Sequence, residues 1–279
     1  MILFTGGGTS GSWQVRGVQL GQACGAVVKP KATLGDCTKA DLIVVVKRMS
    51  LELRETIRRS KTPWVWDVVD FYPQPLCTQW SGKVAIAWVR SQLKKNAPNG
   101  VIWPNVRMGN DCKTRIPSTT VYHHHRPDIQ INPIRDQIKT IGYEGSPRYL
   151  GDWKNVLALE CYKRGWNLKL NEGVHADFDL CVAFRASPFN GYAQQHWKSN
   201  VKLANCHGSG TPFIGPIESA YLETKTGAEL WIDNPHDIGR VFDQLESVAI
   251  RKEIKDTFLK KAYSVQQAAD DLMAFVRGM

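Results

Sequence analysis

The chain has 279 residues, 43% of them hydrophobic, and a formal net charge of +10. That length holds two ordinary domains with proper cores, and no apolar run approaches the ~20 residues that cross a bilayer. The start, MILFTGGG, carries no basic leader and excludes a secretory signal; it reads as a strand.

Seven scattered cysteines, none in C-x-x-C spacing, argue against a disulfide framework or a zinc site and for the reducing cytoplasm. The charge is uneven. Residues 1–135 hold 19 Lys+Arg against 8 Asp+Glu, whereas residues 136–279 hold 17 against 18. A basic half beside a neutral one suggests that one domain meets a polyanion.

In chain order, a strand at Ile2–Phe4 precedes the loop Thr5–Ser12 and a helix over Trp13–Cys24. Ala26–Val28 and Leu42–Val46 are strands, the second continuous and β-branched as a strand buried on both faces should be. A helix follows at Leu51–Ser60, then a strand at Trp64–Val69 ending at Asp70 before Phe71-Tyr72-Pro73. A helix at Val84–Leu93 and strands at Val101–Trp103 and Thr119–Tyr122 complete the first half. The pattern breaks at His123-His124-His125-Arg126-Pro127-Asp128, so residues 1–130 and 131–279 are taken as two domains. No Cys or Asp cluster accompanies the histidines, and no metal site is assigned; His123 is read as structural or acceptor-contacting.

A second alternation follows: strand Ile138–Tyr143, helix Tyr149–Lys163, strand Asn167–Leu170 and strand Leu180–Phe184, which ends at Arg185. Ser199 or Asn200 caps a helix that starts at Val201 and ends at Gly208, and Gly210-Thr211-Pro212 turns the chain into the strand Phe213–Ile214. Strand Leu230–Ile232, helix His236–Leu245 and a helical stretch Ile250–Arg277 broken at Ser264 close the chain. Such alternation predicts α/β domains with parallel sheets.

Four groups of residues carry chemistry. Gly6, Gly8 and Gly11 form G-x-G-x-x-G between a strand and a helix, the context of a dinucleotide site. Tyr221 and Lys225 have Tyr-x-x-x-Lys spacing, so an NAD(P)-dependent oxidoreductase is one reading. The loop residues Gly7, Gly8 and Ser10 equally suit close approach of an acceptor. Asp70 at a strand end is the candidate general base. Arg185, Lys198, Lys202 and the helix start at Ser199 would together neutralise a diphosphate. Glu218 or Glu223 would then accept from ribose hydroxyls.

With these residues in view, the chain resembles GT-B-fold glycosyltransferases. The carriers are the Gly-rich opening loop, Ile141-Gly142-Tyr143-Glu144-Gly145, and the segment from Lys202 to Pro212. The resemblance implies two Rossmann-like domains facing a cleft, an acceptor domain then a donor domain, with C-terminal helices packing back across them. It implies that Tyr143, Glu144, Gly145, Gly210 and Thr211 join the donor site. A UDP sugar such as UDP-glucose would be the co-substrate, with no other cofactor. One departure stands out. Many retaining members carry two glutamates separated by seven residues in the donor helix, and those places are Trp197 and Asn205 here. Retention or inversion is therefore undecided.

The basic first half makes the chain look similar to bacteriophage enzymes that glycosylate hydroxymethylated DNA bases. Arg54, Arg58, Arg59, Lys61, Lys94 and Lys95 would grip phosphates, and a flipped base would reach Asp70 in the host cytoplasm. A surface glycan or lipid acceptor and a non-catalytic nucleic-acid-binding protein are the alternatives.

Overall fold

The computed structural model describes residues 1–8, 10–70 and 79–279; Thr9, Phe71-Tyr72-Pro73 and Cys77 lie outside the described residues. Two parallel sheets organise the chain. The first contains β1 (Ile2–Gly6), β2 (Val27–Val28), β3 (Leu42–Val46), β4 (Trp64–Asp67), β5 (Gly100–Trp103) and β6 (Ser118–Thr120), ordered β2-β1-β3-β4-β5-β6. The second contains β7 (Thr140–Tyr143), β8 (Asn167–Leu170), β9 (Leu180–Val182), β10 (Phe213–Gly215) and β11 (Leu230–Trp231), ordered β11-β10-β9-β7-β8. Every pairing is parallel. The crossovers are helical, as parallel pairing requires.

Each predicted strand forms, several shortened by a residue or two. Leu42–Val46 is buried at all five positions because helices cover both faces of β3. On one face lie α2 (Leu34–Lys39), α3 (Leu51–Ser60), α4 (Gly82–Asn96) and α5 (Val106–Cys112), whose Cys37, Ile57, Val89 and Met108 share a core with Ile43 and Trp66. On the other face lie α1 (Leu20–Ala23) and α12 (Val265–Arg277), which bring Leu20, Ala269 and Leu272 onto Phe4 and Val44. The C-terminal helix therefore returns to the first sheet. The second sheet is covered by α6 (Trp153–Arg164), α8 (Val201–Ser209), α10 (Ile238–Leu245) and α11 (Val248–Lys261), with Leu157, Leu203, Phe242 and Phe258 in one core.

Differences from the expected elements have local causes. The expected helix at Trp13 runs first as a π-helical segment, Trp13–Gln19, before α1. The helix expected from Tyr149 starts at Trp153, after a 3-10 turn Pro147–Tyr149. The break at Ser264 is a capping box that starts α12: Ser264 Oγ accepts from Gln267 N, and the Gln267 side chain accepts from Ser264 N. The short helices α2, α5, α7 (Tyr192–His196) and α9 (Ser219–Thr224) lack enough turns for a periodic signal.

The link after β6 runs along α8. The Asn200 side chain accepts from His123 N at 2.9 Å and donates to His123 O at 3.2 Å; Asn205 Oδ1 accepts from Arg126 N at 2.9 Å. Gly208 lets the link lie close, since a Cβ there would stand 2.5 Å from the His125 ring. Trp197, buried and donating to Asp111 at 2.9 Å, packs into the core of the first domain.

Candidate functional site

The carboxyl ends of β3 and β4 are built alike. After β3 the chain turns tightly around Lys47, which has φ +63°, and Arg48 N donates to Val46 O at 2.9 Å. After β4 it turns around Val69, φ +64°, and Asp70 N donates to Val68 O at 2.7 Å. A β-branched residue in the left-handed region is strained, and such strain concentrates where a side chain must be aimed. The turn after β4 is held by Asp67, which is buried, accepts from Val69 N at 3.2 Å and pairs with buried Arg16 at 2.8 Å. Asp67 is thus scaffold, and Asp70 faces open space.

That space is a pocket of about 400 Å³ shared by both halves of the chain. The first half contributes Lys47, Arg48 and Asp70. The second contributes Gly145, Arg148, Tyr149, Arg185, Phe189, Lys198, Ser199, Val201 and Lys202. Six cations thus line it, and among the described residues Asp70 is the one carboxylate. α8 points its N-terminus here. The Asn200 side chain, at the cap position, is committed to His123, so it leaves the first N–H groups of α8 uncapped. Uncapped N–H groups with adjacent lysines hold anions.

Two of the cations, Lys198 and Lys202, have pKa values lowered by burial. Asp70 pairs with Lys47 at 2.7 Å and Lys198 at 3.4 Å. Burial alone would raise its pKa, but the charges of Lys198 and Lys47 outweigh it and hold the carboxyl well below the usual range. His123, buried beside it, is pushed well below its ordinary value by burial and by Arg16, so it is a neutral imidazole. Lys198 is lowered by burial despite Asp70. Burial and then Arg185 bring Lys202 down to about 8, with its ammonium 5.5 Å over the buried Tyr143 ring. Arg185 forms a buried ion pair with Glu218, which outweighs burial and raises its pKa.

The Lys202 shift has a testable sign. Only the ammonium form attracts an anion, so affinity for a diphosphate should be full below about 8 and fall, by up to roughly tenfold per pH unit, above it. Calorimetric titration of UDP across that range should show this limb, and Lys202→Met should remove it.

Of the residues expected at the site, Asp70, Gly145, Arg185, Lys198, Ser199 and Lys202 meet in this pocket. Gly7 and Ser10 line a smaller adjoining cavity that shares Lys47 and Arg48. Others lie elsewhere. Gly8, φ +78°, packs against Pro30. Gly210, φ +71°, caps the far end of α8 against Lys255, and Thr211 is buried there with Asn132 and Ser209. Both are scaffold because α8 presents its other end to the pocket. Glu218 stands behind Arg185 without lining the pocket. Glu144 is engaged by Arg126 and His175, both at 3.0 Å, and by Asn205 at 2.9 Å; they outweigh burial and hold it at about 2.

Glu223 is likewise structural. Its carboxylate accepts from Val106 N at 2.7 Å, Arg107 N at 2.9 Å and the Tyr122 hydroxyl at 3.1 Å, capping α5. Glu223→Ala should cost about 1 kcal/mol of stability, read by denaturant unfolding, and leave UDP affinity unchanged.

The basic helix is also placed differently from expectation. Arg54, Arg58, Lys61 and Lys95 surround a second cavity of about 400 Å³ beside Trp64 and Asn99, at the amino ends of β4 and β5. β4 spans four residues, so this cavity lies roughly 13 Å or more from the Asp70 edge. Arg58 is paired with Glu55, Arg59 is exposed, and Lys94 borders a separate cavity with Arg90. These residues do not converge on Asp70.

The Gly-rich loop does not form the expected dinucleotide cradle either. A Cβ at Gly6 would stand 2.6 Å from Val46 O, so that glycine serves strand packing. Asp36, the nearest acid to bind a ribose, caps α2 through Thr33 and pairs with Lys29 at 2.5 Å. Tyr221 is fully buried.

Sequence reasoning missed Lys47, Arg48, Arg148, Tyr149 and Phe189. Lys47 and Arg48 follow the clearest strand, which was a usable signal. The aromatic pair, 4.8 Å apart with Arg148 over both rings, joins two loops distant in sequence and gave none.

Two parallel α/β domains share a cation-lined pocket at the carboxyl edges of their sheets. The fold is the GT-B fold of glycosyltransferases. The chain is similar to HepE of Anabaena, whose structure is in complex with UDP, with a TM-score of 0.64 and 9% identity over 100% of both chains. It is similar to AviGT4, a glycosyltransferase involved in avilamycin A biosynthesis, at 0.61 and 9% over 99% of this chain and 97% of that one. Against α,α-trehalose 6-phosphate synthase of Burkholderia multivorans the values are 0.51 and 12%, over 93% and 74%. No family model matches the chain, and no curated protein matches it in sequence.

Proposed function

We propose that the protein is a glycosyltransferase that moves a sugar from a UDP sugar, UDP-glucose for example, to a hydroxyl acceptor. The observation that carries this is the pocket itself: six cations and the start of α8 around one carboxylate, between the two sheets of a GT-B fold. The diphosphate lies against Ser199, Lys198, Lys202 and Arg185. Tyr149 and Phe189 offer an apolar face to the base.

The acceptor oxygen attacks the anomeric carbon, the bond from that carbon to the diphosphate oxygen breaks, and the acceptor proton passes to Asp70. Negative charge grows on the departing diphosphate, where the lysines, Arg185 and the helix N–H groups already stand. The same event readies the base. In the free site Lys47 and Lys198 depress Asp70; a diphosphate that engages Lys198 removes one of those charges and makes Asp70 a stronger proton acceptor.

We take residues 1–130, with α12 packed onto their sheet, as the acceptor domain and the rest of 131–279 as the donor domain. Cytoplasmic residence is supported by the described cysteines, all of them unpaired. Among the described residues no helix is long and apolar enough to cross a membrane. The basic first half supports an anionic acceptor, DNA with hydroxymethylated bases included, while the placement of Arg54, Arg58 and Lys95 away from Asp70 does not.

UDP should bind saturably and raise the melting temperature, and its affinity should fall with salt. Incubation of hydroxymethylated DNA, glycans and lipids with UDP sugars should add one hexose mass to the true acceptor. No UDP binding at low salt would overturn the reading; sugar transfer only to uncharged acceptors would overturn the DNA version alone.

A further inference from the structure

Three residues that the sequence presents as ordinary core meet inside the second domain. His175 stands in a 3-10 turn, His175–Asp177, after β8; Cys181 is in β9, and Cys206 is in α8. All three are fully buried. One imidazole nitrogen and two sulfurs lie within 4.8 Å of one another, with His175 Nδ1 4.0 Å from Cys206 Sγ. Atoms so spaced share a point about 2.8 Å or less from each, against ~2.3 Å for a zinc–thiolate bond and ~2.0 Å for zinc–imidazole. Shifts of at most about 0.5 Å for the sulfurs and about 0.8 Å for the nitrogen would bring all three into bonding range.

A second observation concerns the other face of the ring. His175 Nε2 lies 3.0 Å from Glu144 Oε2, and Glu144 is itself held by Arg126 and Asn205. The negative carboxylate beside the outer nitrogen favours the proton on that side of the ring and leaves the Nδ1 lone pair on the side of Cys206. That is how metal-bound histidines are oriented. Thiols at such distances are weak hydrogen-bond partners and give this orientation little reason of their own.

We propose that His175, Cys181 and Cys206 supply three of the ligands of a thiophilic metal ion, with Zn²⁺ the ion that suits two thiolates and one imidazole. Binding releases the two thiol protons, and two thiolates balance the charge of the ion, so the buried site is neutral. Its place in the fold makes it a fastener. It ties α8, which carries Lys202 at the pocket, to β9 and to the turn after β8.

Metal analysis of protein purified without chelators should give about one ion per chain. Titration of metal-free protein with Co²⁺ should give sulfur-to-cobalt charge-transfer absorption and visible d–d bands. Cys181→Ser and Cys206→Ser should abolish both signals, and Cys24→Ser should preserve them. Should the serine variants fail to fold, the Co²⁺ titration of the unaltered protein decides by itself. Absence of those bands, or a Cys181–Cys206 disulfide as the native state, overturns the proposal.

Discussion

Replacing Arg185 by Ala is expected to lower the melting temperature by on the order of 10 °C and to weaken UDP binding about 10- to 150-fold. The first effect follows from Glu218. Its carboxylate is buried, and Arg185 is its ion-pair partner. Removing one member of a buried pair leaves an uncompensated charge, at a cost of about 3–5 kcal/mol. The second follows from the pocket, where Arg185 stands among Lys198, Lys202 and Ser199. A charge-assisted hydrogen bond to a phosphate contributes roughly 1.5–3 kcal/mol, which is about 10- to 150-fold in affinity. The two effects separate in a double variant. Arg185→Met with Glu218→Gln removes both charges, so it should recover most of the stability and none of the binding. Scanning calorimetry and UDP titration on the same samples test this. If the double variant bound UDP normally, Arg185 would be scaffold and the donor placement wrong.

Asp70→Asn is expected to lower kcat by roughly 10²–10⁴-fold, the ordinary worth of a positioned base, with donor affinity preserved or improved. The affinity part is the distinguishing one. In the free protein Asp70 offsets the charge of Lys47 and Lys198, so its loss leaves the pocket more positive for the diphosphate. A residue with a merely structural role would lose binding and turnover together. The pH profile adds a second test. Asp70 works only when ionised, so activity disappears as pH falls through its pKa. In the free protein that pKa is held well below the usual carboxylate range by Lys198 and Lys47 against the effect of burial. In the donor complex Lys198 is engaged by phosphate, so the pKa rises. The acid limb of kcat should therefore lie at higher pH than that of kcat/KM, and both should vanish in the Asn variant. Coincident limbs would remove Asp70 from the proton transfer.

The sequence by itself determined the alternation of strands and helices, the parallel sheets and the start of α8, which lines the pocket. These are local or periodic properties: Leu42–Val46 is continuous and β-branched, and Ser199-Asn200 precedes an apolar run flanked by Lys198 and Lys202. Asp70 and Arg185 were legible because each stands just beyond the carboxyl end of a strand, β4 and β9, and strand ends in parallel sheets face the crevice.

Only the tertiary structure decided which charged residues line the pocket and which are paired elsewhere in the fold. Glu144, Glu218 and Glu223 look equivalent in sequence. In the fold one is shared among Arg126, His175 and Asn205, one backs Arg185, and one caps α5 across the domain boundary. Gly210-Thr211 sits at the far end of α8 because a helix of nine residues presents only one terminus to the cleft. The basic face of α3 lies at the opposite edge of the sheet from Asp70, since the crossover helix's last turn must return to the amino end of the next strand. Charge counting sees the sum of such residues and not the edge on which they stand. The cluster of His175, Cys181 and Cys206 is the same lesson for donors: spacings of six and twenty-five residues form no motif, and the packing of α8 on β9 is what brings them together.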